Sequence, residues 1–192
     1  MKNILIINGH PNPEAFNAGL ARAYQKGAEQ SGASVEVLNL GELDFDLNLA
    51  YGYQKRTELE PDLLAAWEQI KWADHLVWVH PVWWGGFPAV MKGFLDRLFL
   101  PGFAFSYREG SLWWDKLLTG KTARIITTMD QPGWFYRLFY RAPSINQLKR
   151  STLQFVGVNP VRVTSIGPVK TATEARRAKW LQRVERLGKA GR

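Results

Sequence analysis

Short apolar runs recur between segments with helical spacing, and this alternation restricts the fold more than any other feature of the chain. Residues 3–8 (NILIIN) are nearly continuously apolar, as expected of a strand buried on both faces. A helix is expected over 14–30. Residues 34–39 (SVEVLN) alternate and are β-branched, and a polar, aromatic stretch follows over 41–60. Pro61 suits the first turn of a second helix. Residues 75–80 form a third strand, and a helix over 89–99 is stopped by Pro101 and Gly102. Residues 122–128 (TARIITT) and 161–166 are the fourth and fifth strands, with a helix over 144–155 between them. The closing helix, 173–187, opens with Thr173 followed by Glu174, a pattern suited to an N-terminal cap. Strict alternation implies a parallel sheet with helices on both faces and right-handed crossovers. For five strands the expected order is 2-1-3-4-5, with a ligand site at the switch point beside strands 1 and 3. The connections over 101–121 and 129–143 are long, as functional loops often are.

Composition narrows the chemistry. The 192 residues are read as one domain, 1–192, with 46% hydrophobic and 22% charged residues, ordinary for a globular protein. No apolar run reaches the roughly 18 residues of a membrane span. The opening MKNILIINGHP reads as a first strand rather than a signal peptide, so a cytoplasmic location is expected. Cysteine is absent, which excludes disulfides, thiolate nucleophiles and Cys-ligated metal. Redox chemistry would need a borrowed cofactor. The net charge of +8 is uneven: residues 137–192 hold 13 Lys+Arg against 2 Asp+Glu. Such a segment can attract nucleic acid, anionic lipid or phosphorylated ligands. It can equally be a solvated helix face.

Three loops leave strand ends on the same edge of the expected sheet. The first, 9–17, is neither GxGxxG nor a P-loop. Its helix N-terminus could hold a phosphate, with His10 and Asn17 as added donors; its Asn and Pro also suit a plain turn. The second is Pro81-Val82-Trp83-Trp84-Gly85-Gly86-Phe87-Pro88. Adjacent tryptophans there suit a flat aromatic guest, and Gly85 and Gly86 let backbone N–H groups come close to it. Large aromatics are also common core residues, but two adjacent loop residues do not easily face one core. The third loop, Thr127-Thr128-Met129-Asp130-Gln131-Pro132-Gly133, runs into Trp134, Phe135, Tyr136, Phe139 and Tyr140. That cluster could wall a pocket, or pack on the core or on a second subunit. His10, His75 and His80 lack ligand-like spacing, so no metal site is expected, and no G-x-S-x-G elbow is present.

Together these residues resemble the flavodoxin-like NAD(P)H:quinone oxidoreductase family. The carriers are NILIINGHPNPEAFN, HPVWWGGFPAVMKGFLDRLF, GFAFSY (102–107) and ARIITT (123–128). The resemblance implies a flavodoxin-like three-layer α/β sandwich and a tightly bound FAD, with FMN as the alternative. It also implies NADPH or NADH as hydride donor, ping-pong two-electron transfer to a quinone-like acceptor, and a homodimer with its active sites at the interface. Carried over by position, His10, Phe16 and Asn17 look like contacts to the pyrophosphate and adenosine side. Pro81, Val82, Trp83, Trp84 and Gly85 look like the segment along the isoalloxazine ring, with backbone N–H groups of Trp84 to Gly86 facing charge on the reduced ring. Thr127, Thr128, Met129 and Asp130 look like the opposing loop, and Arg176 like a basic contact near the adenine. Phe105 and Tyr107 look like substrate-pocket aromatics supplied across the interface. Tyr136 is expected to donate a hydrogen bond to the acceptor. The chain departs from the family's mammalian representative in having Met129 and Asp130 where that protein has two glycines, and no His in the loop that follows. Some relatives are ancillary subunits of potassium-efflux systems, so a peripheral membrane-protein partner is a second reading. A one-electron carrier is a third. A nucleic-acid partner is not expected: it would explain the charge but not the Trp-Trp-Gly-Gly loop.

Overall fold

The computed structural model describes residues 1–191. In chain order the elements are β1 (Asn3–Asn8), α1 (Phe16–Gln30), β2 (Ser34–Asn39), α2 (Pro61–Trp72), β3 (His75–Pro81) and α3 (Ala89–Leu98). A hairpin of β4 (Phe105–Tyr107) and β5 (Trp114–Lys116) precedes β6 (Thr122–Thr128), α4 (Gly133–Leu138) and α5 (Pro143–Asn146). The chain closes with β7 (Val161–Ile166) and α6 (Glu174–Lys189). The main sheet runs β2-β1-β3-β6-β7, parallel throughout. With the hairpin strands set aside, this is the expected order 2-1-3-4-5.

Strand alternation divides the core in two. Leu5, Ile7, Leu76, Trp78 and Ile125 face α2, α3 and the hairpin. Ile4, Ile6, Val77, Val79 and Ile126 face α1 and α6. Both faces are covered, which is why β1 and β3 are nearly unbroken apolar runs.

Several boundaries differ from expectation. Helix α1 begins at Phe16 because Asn12 accepts N–H bonds from Glu14 and Ala15, at 2.8 and 3.2 Å, and holds residues 12–15 in a turn. The connection over 101–121 contains the β4–β5 hairpin. The helix expected over 144–155 is α-helical only through Asn146 and continues as a π-helical segment, Gln147–Gln154. Thr173 caps α6 as expected, its hydroxyl accepting from the Arg176 N–H at 3.3 Å.

Helices α1 and α6 cross backbone to backbone at Gly27 and Gly188. A Cβ on Gly27 would overlap the Glu185 carbonyl, and one on Gly188 the Tyr24 carbonyl. Ala in place of an exposed helical Gly usually gains about 1 kcal/mol. Here overpacking reverses the sign, and Gly27→Ala is expected to lose roughly 2 kcal/mol, read as a lower urea midpoint.

Candidate functional site

The three loops at the carboxyl ends of β1, β3 and β6 meet, tied by specific bonds. In the first, Gly9 N–H donates to the Val79 carbonyl at 2.8 Å. His10 accepts the Asn12 N–H on Nδ1 at 3.0 Å, which assigns the ring proton to Nε2. Burial holds the His10 pKa below its usual value. The N-terminus of α1 has no side-chain cap and no acidic residue in its first turn. Among the described residues, the N–H groups of Phe16 and Asn17 have no acceptor. Such a terminus is a ready-made anion cradle. Asn17 is buried; its Oδ1 accepts from Thr128 Oγ1 at 3.1 Å, while its Nδ2 has no partner.

The second loop is a tight turn. Trp83 and Gly86 exchange both backbone hydrogen bonds at 2.9 Å, with Trp84 at φ 51° and Gly85 at φ 79°. Two central residues with positive φ define a type I′ turn, which favours Asn-Gly. A tryptophan there is strained by about 1 kcal/mol or more, and its side chain is fully exposed at the turn tip. The N–H groups of Trp84 and Gly85 point away from any acceptor among the described residues. The Gly86 N–H is consumed by the turn, which removes it from the expected set of free donors. Trp83 meets the His10 ring edge-on at 5.4 Å and so joins the first two loops.

The third loop is pinned from both sides. The Thr128 carbonyl accepts from Val82 N–H at 2.7 Å, Met129 N–H donates to Ile166, and Asp130 Oδ1 accepts the Lys170 N–H at 2.8 Å. Thr127 is buried with its hydroxyl unpartnered. Tyr136 is also buried, and burial raises its pKa. Its hydroxyl donates to the Gly85 carbonyl at 2.8 Å, accepts the Ser144 N–H at 3.0 Å and lies 2.8 Å from Ser144 Oγ. That corrects the expectation that Tyr136 donates to an acceptor molecule: its one proton is committed to Gly85, and the side chain positions the Trp84–Gly85 turn. Val82, Trp84, Gly85, Met129, Asp130, Gln131, Tyr136 and Tyr140 line a cavity of about 460 Å³.

Other expected residues lie elsewhere. Phe105 and Tyr107 line a different cavity, with Tyr53, Asp96 and Phe155. Phe105 is buried edge-on against Phe155, and Tyr107 is exposed. Arg176 is exposed and lies over the Trp180 ring at 5.2 Å. Its neighbour Arg177 covers Phe16 at 5.5 Å and donates to the Val169 carbonyl. Sequence reasoning missed Arg177 and Ser144. The first was signalled only as the second Arg of TEARRA, and the second by nothing local.

The sequence matches a protein family described as having a Flavodoxin-like fold over residues 2–187. It is 27% identical to ribosyldihydronicotinamide dehydrogenase [quinone] of Rattus norvegicus, covering 98% of this chain and 93% of the relative. It is also 27% identical to an FMN-dependent NADH:quinone oxidoreductase of Macrococcus caseolyticus, over 98% and 99% of the two chains. Among solved structures, the NAD(P)H:quinone oxidoreductase from Methanothermobacter marburgensis superposes with a TM-score of 0.87 at 23% identity, covering 100% of this chain and 99% of the other.

Proposed function

The chain belongs to the flavodoxin-like fold family, and from that premise we propose that it is a flavin-dependent oxidoreductase. It takes hydride from NADPH or NADH and passes two electrons to a quinone-like acceptor. The observation that carries this reading is a set of donors without protein partners on the first two loops: the buried Asn17 Nδ2, the first N–H groups of α1, and the N–H groups of Trp84 and Gly85, which line the cavity. A buried polar group such as Asn17 Nδ2 is normally satisfied. A ligand with a phosphate at one end and a flat, acceptor-edged ring at the other would supply acceptors for this set.

When bound, a flavin supplies reversible uptake and release of hydride. The chain's residues bind and orient. The α1 terminus and His10 Nε2–H would hold the phosphate, with Asn17 and Thr128 beside it. Val82, Trp84 and Met129, which line the cavity, would flank the ring, and Pro81, Trp83 and Thr127 belong to the strand ends and turn that carry them. The N–H groups of Trp84 and Gly85 would face negative charge, as preorganised donors do elsewhere. Tyr136 and Ser144 keep these N–H groups aimed.

FAD is the preferred flavin, because Phe16 with Arg177 and Trp180 offers an aromatic, cationic surface next to the α1 terminus, and Arg176 extends it. FMN is the second reading, favoured by the name of the Macrococcus relative. A homodimer is supported by the exposed Tyr107, Leu112 and Trp113 on the hairpin, which would carry Tyr107 toward the partner's site, while Phe105 is buried in its own core. We place the protein in the cytoplasm; no described helix is long and apolar enough to cross a membrane. The transporter-subunit, electron-carrier and nucleic-acid readings gain no support from the site.

The test is the visible spectrum of the purified protein and chromatography of the released cofactor. Flavin bands with FAD released are expected. Asn17→Leu, which keeps the volume but removes Nδ2, should weaken flavin retention about tenfold or more. A colourless protein that neither flavin reconstitutes would overturn the reading.

A further inference from the structure

The sheet carries a polar layer at the end opposite the three loops. On the face covered by α1 and α6, the strand middles are aliphatic: Ile4, Ile6, Val77, Val79 and Ile126. Toward the start of each strand the same face turns polar. Lys2 precedes β1, His75 opens β3, Thr122 and Arg124 lie on β6, and Arg162 and Thr164 on β7. His75 sits beside Thr122, and Arg124 beside Arg162, in the strand register. Strand β3 runs from His75 to Pro81, so this layer lies roughly 20 Å from the Trp83–Gly86 turn. Lys2, His75, Thr122, Arg162 and Gly191 line a cavity of about 170 Å³ there. That is room for several waters or one small ion.

Donors in this cavity outnumber acceptors. His75 Nδ1 and Thr122 Oγ1 lie 2.6 Å apart and share one hydrogen bond. The two groups hold two protons between them, so either tautomer of the ring leaves one N–H or O–H to donate. His75 is 2% exposed, and its Nε2 is buried without a partner. Lys2 Nζ gives one of its three protons to the Gly191 carbonyl at 2.7 Å. The Arg162 guanidinium makes no hydrogen bond or ion pair among the described residues. Burial lowers the Lys2 pKa; Asp74 opposes that and Arg162 adds to it. Lys2, Arg124 and Arg162 all bear on His75 in the same sense. The Asp74 carboxylate accepts the Asn3 N–H at 2.9 Å, and no carboxylate among the described residues lines the cavity. Cations gathered in a partly enclosed space without a counter-charge draw in anions, and guanidinium and ammonium groups beside a hydroxyl suit an oxyanion. We propose that this cavity binds a small free oxyanion of the inorganic phosphate class, held between Arg162, Lys2 and the His75–Thr122 pair. The site is remote from the loops at the carboxyl ends of the strands and does not rest on the oxidoreductase reading.

The test is a thermal melt of the full-length protein, with and without added flavin, titrated with sodium phosphate against sodium chloride of equal ionic strength. A saturable rise in Tm with phosphate is expected, as for any ligand of the folded state. Arg162→Gln should weaken the response about tenfold; Arg162 is exposed, so the variant should fold. Arg22→Gln, an exposed arginine outside the cavity lining, should leave the response unchanged. The His75 ring resonance, assigned by its loss in His75→Gln, should move with phosphate in the wild type. Flavin content should stay at the wild-type level in Arg162→Gln. Phosphate also stabilises proteins by exclusion from their surface; a rise that never saturates and is equal in Arg162→Gln would overturn the proposal. A response that Arg162→Gln keeps and added flavin abolishes would overturn it too, because the ion would then sit at the α1 terminus. So would a wild type that ignores phosphate while a variant lacking Arg192 responds to it, because the residue after Gly191 would then fill the cavity.

Discussion

Gly86→Val is expected to leave the fold standing and to empty it of flavin. Within the chain, valine has room at this position. A Cβ there meets nothing nearer than the Trp83 carbonyl oxygen at 3.7 Å, and the backbone is not left-handed as it is at Gly85. The paired hydrogen bonds with Trp83 use only backbone atoms and survive the change. The absence of a side chain at Gly86 is therefore explained by something laid against the turn from outside. A branched side chain pushed into a planar ligand is worth about 2 kcal/mol of overpacking, a loss of binding of about 30-fold. The measurement is the ratio of flavin to protein absorbance in the purified variant, with a thermal melt to show that folding is retained. A folded variant with full flavin content and activity would sink the placement of the ring beside this turn.

The second large effect is acid sensitivity. His75 and His80 sit within β3 and are buried, and burial pushes their pKa values down to about 3 and about 4. For His75, the positive charges of Lys2, Arg124 and Arg162 add to the effect. Both folded values lie below the unfolded one of about 6.5. The unfolded chain therefore takes up protons first as pH falls. The stability these neutral rings contribute is complete above pH 6.5 and is lost progressively below it, toward pH 4 and 3. Between pH 7 and pH 5, two histidines lose up to about 4 kcal/mol together, a large part of the roughly 5–15 kcal/mol typical of a domain. Urea midpoints at the two pH values measure this, and the difference should shrink in His75→Gln. Equal midpoints at pH 7 and pH 5 in the wild type would show that the two rings are not held neutral. His80 donates from Nδ1 to the Pro81 carbonyl at 3.0 Å, at the root of the Trp83–Gly86 turn, so the acid-driven proton falls on Nε2, which is buried without a partner.

The parts of the fold that can be read from sequence are those that two-sided burial writes into composition. Strands β1, β3 and β6 announce themselves because no polar residue can occupy their middles without a partner. The hairpin is silent because Phe-Ser-Tyr and Trp-Asp-Lys are three residues each, too short for a period to appear. At the site, the Trp-Trp-Gly-Gly loop was legible as an exposed aromatic turn, but the role of Tyr136 was not. Its partner Ser144 lies beyond the left-handed corner at Arg141 and Ala142, and neither residue type signals positive φ. Arg176 and Arg177 show a different limit. One residue along a helix is a rotation of about 100°, so adjacent arginines serve different rings, and only the packing of α6 on α1 decides that Arg177 faces Phe16.

The crossing of α1 on α6 has a consequence for the order in which the protein is made. The layer of Leu20, Ala21 and Tyr24 over Ile4 and Ile6 is closed by Val184, near the far end of the sequence. Domains emerge from the ribosome N-terminus first. The opposite layer, formed by α2 and α3, can assemble while translation continues. The α1 layer stays open to water until α6 is released, and its closure bears a long loop-closure entropy. The nascent chain therefore carries an uncovered aliphatic face from the emergence of α1 until α6 has been made.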